Sequence, residues 1–138
     1  MNLACAILHL EDDDNDSLFF QHALKAVSFV GIYRRVSAVA EAKRYLLGDG
    51  DYSDRKAYPM PDVVVVDTTL EGGESALDLL AWMSSQEPFR NLAKIALTGT
   101  DNPRTHQSLL AQGVMGILSK GACLVEFSAS VAEVLRRC

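Results

Sequence analysis

The segment Val63-Val64-Val65-Val66 is continuously apolar and β-branched, and Asp67 follows it directly. A strand with one wetted face alternates apolar and polar residues, so an unbroken run requires cover on both faces and belongs inside a parallel sheet. Parallel strands in turn need crossover connections, usually helices. The rest of the chain supplies both. Ala4 to Leu10, Ile32 to Ala38, Ile95 to Leu97 and Val114 to Leu118 read as four further strands. Between and after them apolar residues recur at helical spacing: Phe20, Ala23, Leu24 and Val27; Val39, Ala42 and Leu46; Ala76, Leu79, Leu80 and Met83; and finally Leu124, Phe127, Val131, Val134 and Leu135. With a helix from Asn102 to Gly113, five strands alternate with five helices, which predicts an α/β fold: a doubly wound five-stranded parallel sheet with helices on both faces.

Local signals set the expected boundaries. Asp14, Asn15 or Asp16 can cap the first helix, Gly48 can end the second, and Pro88 closes off the third. Asn102 before Pro103 is a cap followed by a first helical residue. Gly48 to Pro61 carries Gly, Asp, Ser and Pro without a period, the pattern of a long surface loop, and loops of that length are usually functional or partner-facing.

The chain's 138 residues and 49% hydrophobic content suit one domain with a real core. A formal net charge of −5 and a pI near 5.1 argue against a nucleic-acid or anionic-lipid partner. The apolar runs are too short to span a bilayer, and no basic segment precedes the first of them, so no signal peptide is expected. Cys5, Cys123 and Cys138 lack metal-type spacing and suit a reducing cytoplasm, with Cys5 buried. His9, His22 and His106 share no ligand spacing, so zinc is not expected, though His9 stands two residues before Glu11, toward the same edge. Trp82, Tyr33 and Tyr45 read as packing residues.

In such a sheet, ligands bind outside the carboxyl ends of the strands, where strand order reverses. The stretch "ILHLEDDDND" places five carboxylates in six positions at the first such end. Two carboxylates about 4 Å apart repel by roughly 4 kcal/mol at an effective dielectric near 20, so crowding them calls for a compensating cation. The other strand ends deliver Asp67, Thr98-Gly99-Thr100 and Ser119-Lys120. Asp13, Asp14 and Asp16 read as cap or surface charge.

Taken together, "ILHLEDD", "PDVVVVD", "IALTGT" and "GVMGILSKG", in that order, resemble the receiver domain of bacterial two-component response regulators over essentially the full chain. The loop text "AKRYLLGDGDYSDRKAYPMPD" is similar to that of single-domain regulators accompanying cyanobacterial-type phytochrome kinases. The resemblance implies a flavodoxin-like receiver over residues 1–138 with no output domain. Asp67 would be the phosphoacceptor for a histidine kinase, and Glu11, Asp12, Asp67 and the backbone carbonyl of Thr69 would hold Mg²⁺. Thr98 and Lys120 would contact the phosphoryl group, Ile117 would stand at the switch position, and Thr69, Gly99 and Thr100 would shape the turn or tune phosphoryl lifetime. It also implies a downstream protein partner, a homodimer through the face of the fourth helix, fifth strand and fifth helix, and no enzymatic turnover beyond slow self-dephosphorylation.

Departures from the family pattern are visible. Leu70 to Ser75 replaces the usual Met-Pro-Gly-Met-Asp-Gly-like turn, with two glycines expected to make the bend. Ile117 replaces an aromatic residue, and Gly121 replaces the frequent proline with its cis bond, so a trans bond is expected. Two other functions stay open on the sequence: a degenerate receiver acting as a phosphorylation-independent binding or dimerisation module, and a small haloacid dehalogenase-type phosphatase using the aspartate of "VVVVDTTL". Nucleotide binding lacks both a P-loop and a G-x-G-x-x-G turn.

Overall fold

The computed structural model describes residues 5–70 and 75–136. Among them the strands are β1 (Ala6–Leu10), β2 (Ile32–Val36), β3 (Val63–Asp67), β4 (Ala93–Thr98) and β5 (Gly116–Ser119). They alternate with α1 (Asp14–Ala26), α2 (Val39–Leu47), α3 (Ala76–Ser85), α4 (Pro103–Ala111) and α5 (Leu124–Arg136). Neighbouring strands pair in parallel in the order β2-β1-β3-β4-β5, so the order reverses between β1 and β3 and opens a crevice at their carboxyl ends. The doubly wound architecture expected from the apolar pattern is the one observed. The glycine turn expected over Leu70 to Ser75 falls largely on residues 71–74, which lie outside the described residues, as do Ala4 and Cys138.

The valine run is the centre of the molecule because its alternate side chains serve opposite faces. Val64 and Val66 join Leu8, Leu10, Leu46, Leu79, Met83 and Leu109 beneath α2, α3 and α4. Val63 and Val65 join Ile7, Phe20, Leu24, Phe127 and Val131 beneath α1 and α5. All four valines are fully buried, and each such side chain contributes about 1.5–3 kcal/mol relative to exposure. The same alternation carries Ile7, His9 and Glu11 along one side of β1 and Val63, Val65 and Asp67 along the matching side of β3. The pairing Leu10↔Val66 brings Glu11 level with Asp67.

Several boundaries differ from the expected ones. The strand expected over Ile32 to Ala38 stops at Val36, because the Ser37 N–H is taken by the Glu41 carboxylate (2.8 Å) and Ala38 is already the cap of α2. Asp13, not Asp14, Asn15 or Asp16, caps α1: its carboxylate accepts from the Asp16 N–H at 2.9 Å, leaving Asp14 and Asp16 in the first turn, where the helix dipole favours them. The last strand starts at Gly116 rather than Val114, whose N–H instead closes the end of α4 on Leu109. Leu124 opens α5 before its buried stripe meets the sheet and is exposed, whereas Phe127, Val131, Val134 and Leu135 are buried. Cys5, at the tip of β1, is half-buried rather than buried. No cis peptide bond occurs among the described residues, in line with the trans bond expected before Gly121.

Gly31 shows why the chain can pass directly from α1 into β2. A β-carbon there would collide with the Cys5 backbone carbonyl oxygen, which accepts the first β2 bond from the Ile32 N–H at 3.0 Å. Gly31→Ala is therefore expected to lower stability by about 1–3 kcal/mol, the usual range for overpacking, read as a lower urea midpoint. An unchanged midpoint would mean that the edge strand can shift without cost.

The segment expected to be an aperiodic surface loop, Gly48 to Pro61, is an ordered cap on α2. Gly48 ends that helix in the left-handed conformation (φ 70°), and a 3-10 turn follows at Gly50–Ser53. Arg55 donates to the carbonyls of Tyr45 and Leu46 (2.9 Å each) and Tyr58 (3.2 Å), satisfying groups that a helix end leaves orphaned. The rings of Tyr45, Tyr52 and Tyr58 pack on one another at 5.0–6.0 Å between centroids, and the Tyr52 hydroxyl donates to Glu41 at 2.7 Å. Arg55→Ala should cost about 1–3 kcal/mol, since it takes a donor from three partly buried carbonyls, of which Tyr45 keeps the Gly48 N–H at 3.1 Å. Limited proteolysis should then cut between residues 48 and 61 faster than in the parent; equal cutting rates would show that the tyrosines alone hold the segment.

Candidate functional site

The crevice at the β1/β3 switch point collects the charged residues. Glu11 follows β1 with its backbone fixed on both sides: its N–H donates to the Val36 carbonyl at 2.9 Å, and its own carbonyl accepts from Arg35 at 2.8 Å. Its side chain is 0% exposed. Asp12, the next residue, turns out to solvent at the mouth. Asp67 ends β3 at 1% exposure, positioned by the pairing of β3 with both β1 and β4. These three carboxylates each place one oxygen within 4.8 Å of the other two. Asp12, Asp13, Asp16, Asp67 and Thr69 line the resulting cleft, of about 330 Å³.

Lys120 closes the site from the β5 end. Its backbone N–H is held by the Thr98 carbonyl at 2.9 Å. Its ammonium lies 3.0 Å from Asp67 Oδ2, 2.6 Å from Asp16 Oδ2 and 3.6 Å from Glu11 Oε1, and donates to Thr69 Oγ1 at 3.3 Å. Asp67 Oδ1 meanwhile accepts from the Thr69 amide (2.9 Å) and the Thr69 hydroxyl (2.7 Å). The Asp67 carboxylate is thus gripped at both oxygens by groups that follow β3 and β5.

Asp16 is the residue that sequence reasoning missed. It was expected to be cap or surface charge, yet it makes the shortest ion pair to Lys120. The available signal was its position in the first turn of a helix starting at this edge. Thr98 ends β4, buried, with its hydroxyl engaged by Thr100: it accepts from the Thr100 N–H at 3.2 Å. Thr100 is exposed, and its carbonyl meets His106 at 2.9 Å. Gly99 is open, with nothing near where a β-carbon would lie. Ile117 is half-buried on β5 and packs against the cluster beneath α2–α4, on the opposite side of the sheet from α1 and α5.

The electrostatics follow from burial and crowding. Desolvation, reinforced by the neighbouring Asp67 carboxylate, pushes Glu11 up to about 8. Burial opposes ionisation of Asp67 as well, but hydrogen bonds from Glu11, Thr69 and Lys120 outweigh it and hold this carboxyl below its ordinary value. Burial likewise works against charge on Lys120, and is overcome by Asp16 and Asp67, which raise the ammonium above its usual range. A proton is therefore favoured on Glu11, where two buried acids face each other. Mg²⁺ prefers hard oxygen ligands and keeps several waters, and a carboxylate triad on a wet cleft fits that demand. His9, beside Glu11, is fully buried, and desolvation lowers it to about 3, so its ring is neutral.

No protein-family model matches the chain, and no curated relative matches it at the level of sequence. Solved structures do match in shape. A response regulator of red-light signalling in R. palustris superimposes with a TM-score of 0.89 at 21% identity, covering 97% of this chain and 93% of its own. The phosphorylated cyanobacterial phytochrome response regulator RcpA superimposes with a TM-score of 0.81 at 21% identity, over 95% and 91%. The Mn²⁺-bound form of response regulator Rcp1 gives 0.80 at 21% identity, over 94% and 91%. Sheet order, helix placement and full-length superposition agree: this chain has the flavodoxin-like receiver fold of response regulators.

Proposed function

We propose that this protein is a phosphoacceptor: a receiver that takes a phosphoryl group onto Asp67 from a histidine kinase and signals by protein contact or by passing the group onward. The observation that carries this reading is the placement of the Lys120 ammonium 3.0 Å from Asp67 Oδ2, beside a carboxylate triad able to share one cation. Glu11, Asp12 and Asp67, with the backbone carbonyl of Thr69, would hold Mg²⁺. Bound there, the ion neutralises negative charge on the acceptor and on the incoming phosphoryl oxygens.

The remaining work falls to the chain's own residues. An Asp67 oxygen attacks phosphorus in line, an O–P bond forms, and the P–N bond to the donor imidazole breaks, its electron pair staying on nitrogen. Lys120 pairs with a phosphoryl oxygen as charge develops there. The Thr98 hydroxyl leaves Thr100 to donate to another oxygen, and the exposed Gly99 and Thr100 move with it, setting access of water and hence lifetime. Ile117, adjacent on β5, repacks in place of an aromatic switch residue. The face of α4, β5 and α5 is the surface a downstream protein or a second copy would read.

The phytochrome association of RcpA, and of bacteriophytochrome response regulators with the same fold, supports a phytochrome-type kinase as the donor. No helix among the described residues is long and apolar enough to cross a membrane. The three cysteines, Cys5, Cys123 and Cys138, lack metal-type spacing and fit a reducing, cytoplasmic setting.

Acetyl phosphate with Mg²⁺, followed by intact mass measurement, tests the reading. The expected result is one added phosphoryl group, lost when EDTA replaces Mg²⁺. An unmodified protein that still binds partners would instead identify a phosphorylation-independent binding module. Steady hydrolysis of a phosphate monoester would identify a phosphatase.

A further inference from the structure

Beneath the carboxylate triad lies a polar chain that the phosphoacceptor reading does not use. Gln21 on α1 donates through Nε2 to Ser17 Oγ at 3.2 Å. Ser17 Oγ is 2.9 Å from the Tyr33 hydroxyl on β2, which is 2.7 Å from His9 Nδ1 on β1. The other ring nitrogen, His9 Nε2, faces Glu11 Oε1 at 3.8 Å. Those last two atoms are both fully buried and both lack a hydrogen-bond partner. Two adjacent unsatisfied polar atoms in a packed interior are costly, and here each is the other's natural complement.

The direction of the chain is chosen at its inner end. With the ring proton on Nδ1, the bare Nε2 lone pair would face Glu11 Oε1 at 3.8 Å, acceptor against acceptor. With the proton on Nε2, the two unpartnered atoms become donor and acceptor, and Nδ1 accepts from the Tyr33 hydroxyl. Gln21, which fills one lone pair of Ser17 Oγ, leaves the Ser17 hydrogen free to complete the run by donating to Tyr33. Packing keeps the ring in this orientation: Phe20 lies 4.6 Å away between centroids and Tyr33 lies 5.8 Å away, edge-on.

We propose that His9 is a positioning residue for the metal site, its Nε2–H directed at Glu11 Oε1 so that this side chain is held and aimed into the cleft, with the Tyr33 hydroxyl donating to Nδ1. This inference rests on Glu11 being a metal ligand. A donor standing behind a ligating carboxylate restrains its orientation before the ion arrives, and loss of such partners usually weakens metal binding about 10–100-fold. Glu11 Oε2 is already held by the Asp13 N–H at 3.3 Å, so His9 supplies the restraint on the second oxygen.

Two measurements test it. In the metal-free protein, two-bond ¹⁵N–¹H correlation of the His9 ring should show the Nε2–H tautomer. Calorimetric titration with Mg²⁺ should show His9→Leu binding about tenfold more weakly than the parent, His9→Gln, which restores an N–H donor, close to the parent, and Tyr33→Phe in between. An Nδ1–H tautomer in the parent, or His9→Leu binding Mg²⁺ within about twofold of it, would overturn the inference and leave the phosphoacceptor reading standing. Should His9→Leu fail to fold, the tautomer and the Tyr33→Phe affinity decide. A parent protein that binds no Mg²⁺ would overturn both.

Discussion

Asp67→Asn abolishes phosphoryl uptake: after incubation with acetyl phosphate and Mg²⁺, the parent gains one phosphoryl group in the intact mass spectrum and the variant gains none. The substitution keeps the size of the side chain and leaves an oxygen for the Thr69 amide and hydroxyl, which lie 2.9 and 2.7 Å from Oδ1 in the parent. What disappears is the negatively charged oxygen that would attack phosphorus and one of the three carboxylates of the cation site. The fold is expected to survive. Glu11, no longer beside a charged neighbour, can give up its proton, and Lys120 keeps Asp16 at 2.6 Å and Glu11 at 3.6 Å. Loss of uptake should therefore come with a cooperative thermal unfolding transition, as in the parent. Uptake at the parental level would move the acceptor to another side chain and remove the basis of the mechanism.

The second large effect concerns folding. Phe20→Ala should destabilise the protein by about 3–5 kcal/mol, a large share of the 5–15 kcal/mol that holds most domains together. Phe20 is 2% exposed on the inner side of α1 and belongs to the cluster that joins Val63 and Val65 to Phe127 and Val131 of α5. Its ring lies 4.6 Å from His9 and 6.1 Å from both Tyr33 and Phe127, so the cavity left by alanine would open between α1, β1, β2 and α5 at once. Four elements cannot collapse together onto one void, which places the cost toward the upper part of the range. Urea unfolding followed by far-UV circular dichroism measures it. A loss below about 1 kcal/mol would show that α1 can settle inward, and that the layer is looser than its burial indicates.

Legibility in the sequence differed from element to element for physical reasons. β3 was readable from four residues, because burial on both faces leaves only one composition able to fill it. α3 and the buried stripe of α5 were readable because helical spacing is an averaged property of many residues. Strand ends were less so. β2 was expected to run to Ala38 and ends at Val36, since the decisive event is the Glu41 carboxylate reaching back to the Ser37 N–H, a contact made only once α2 has formed. The segment from Gly48 to Pro61 read as aperiodic because its order comes from Arg55 and three tyrosines on two elements, and such packing leaves no period in the chain.

For the site, the sequence by itself determined which chemistry was on offer: acids after β1, an acid after β3, a hydroxyl after β4 and an ammonium after β5, all delivered to one edge because parallel strands end on the same side. Period-two alternation also put His9 on the same side of β1 as Glu11. Tertiary structure alone decided the partnerships. The capture of Lys120 by Asp16 and Asp67, and the alignment of Ser17 and Tyr33 with His9, each depend on distances of 2.6–3.0 Å between residues on different elements. Hydrogen bonds and ion pairs at that range respond to shifts of a few tenths of an ångström, far finer than a hydrophobic pattern can specify, so only the packed helices and sheet could choose among them.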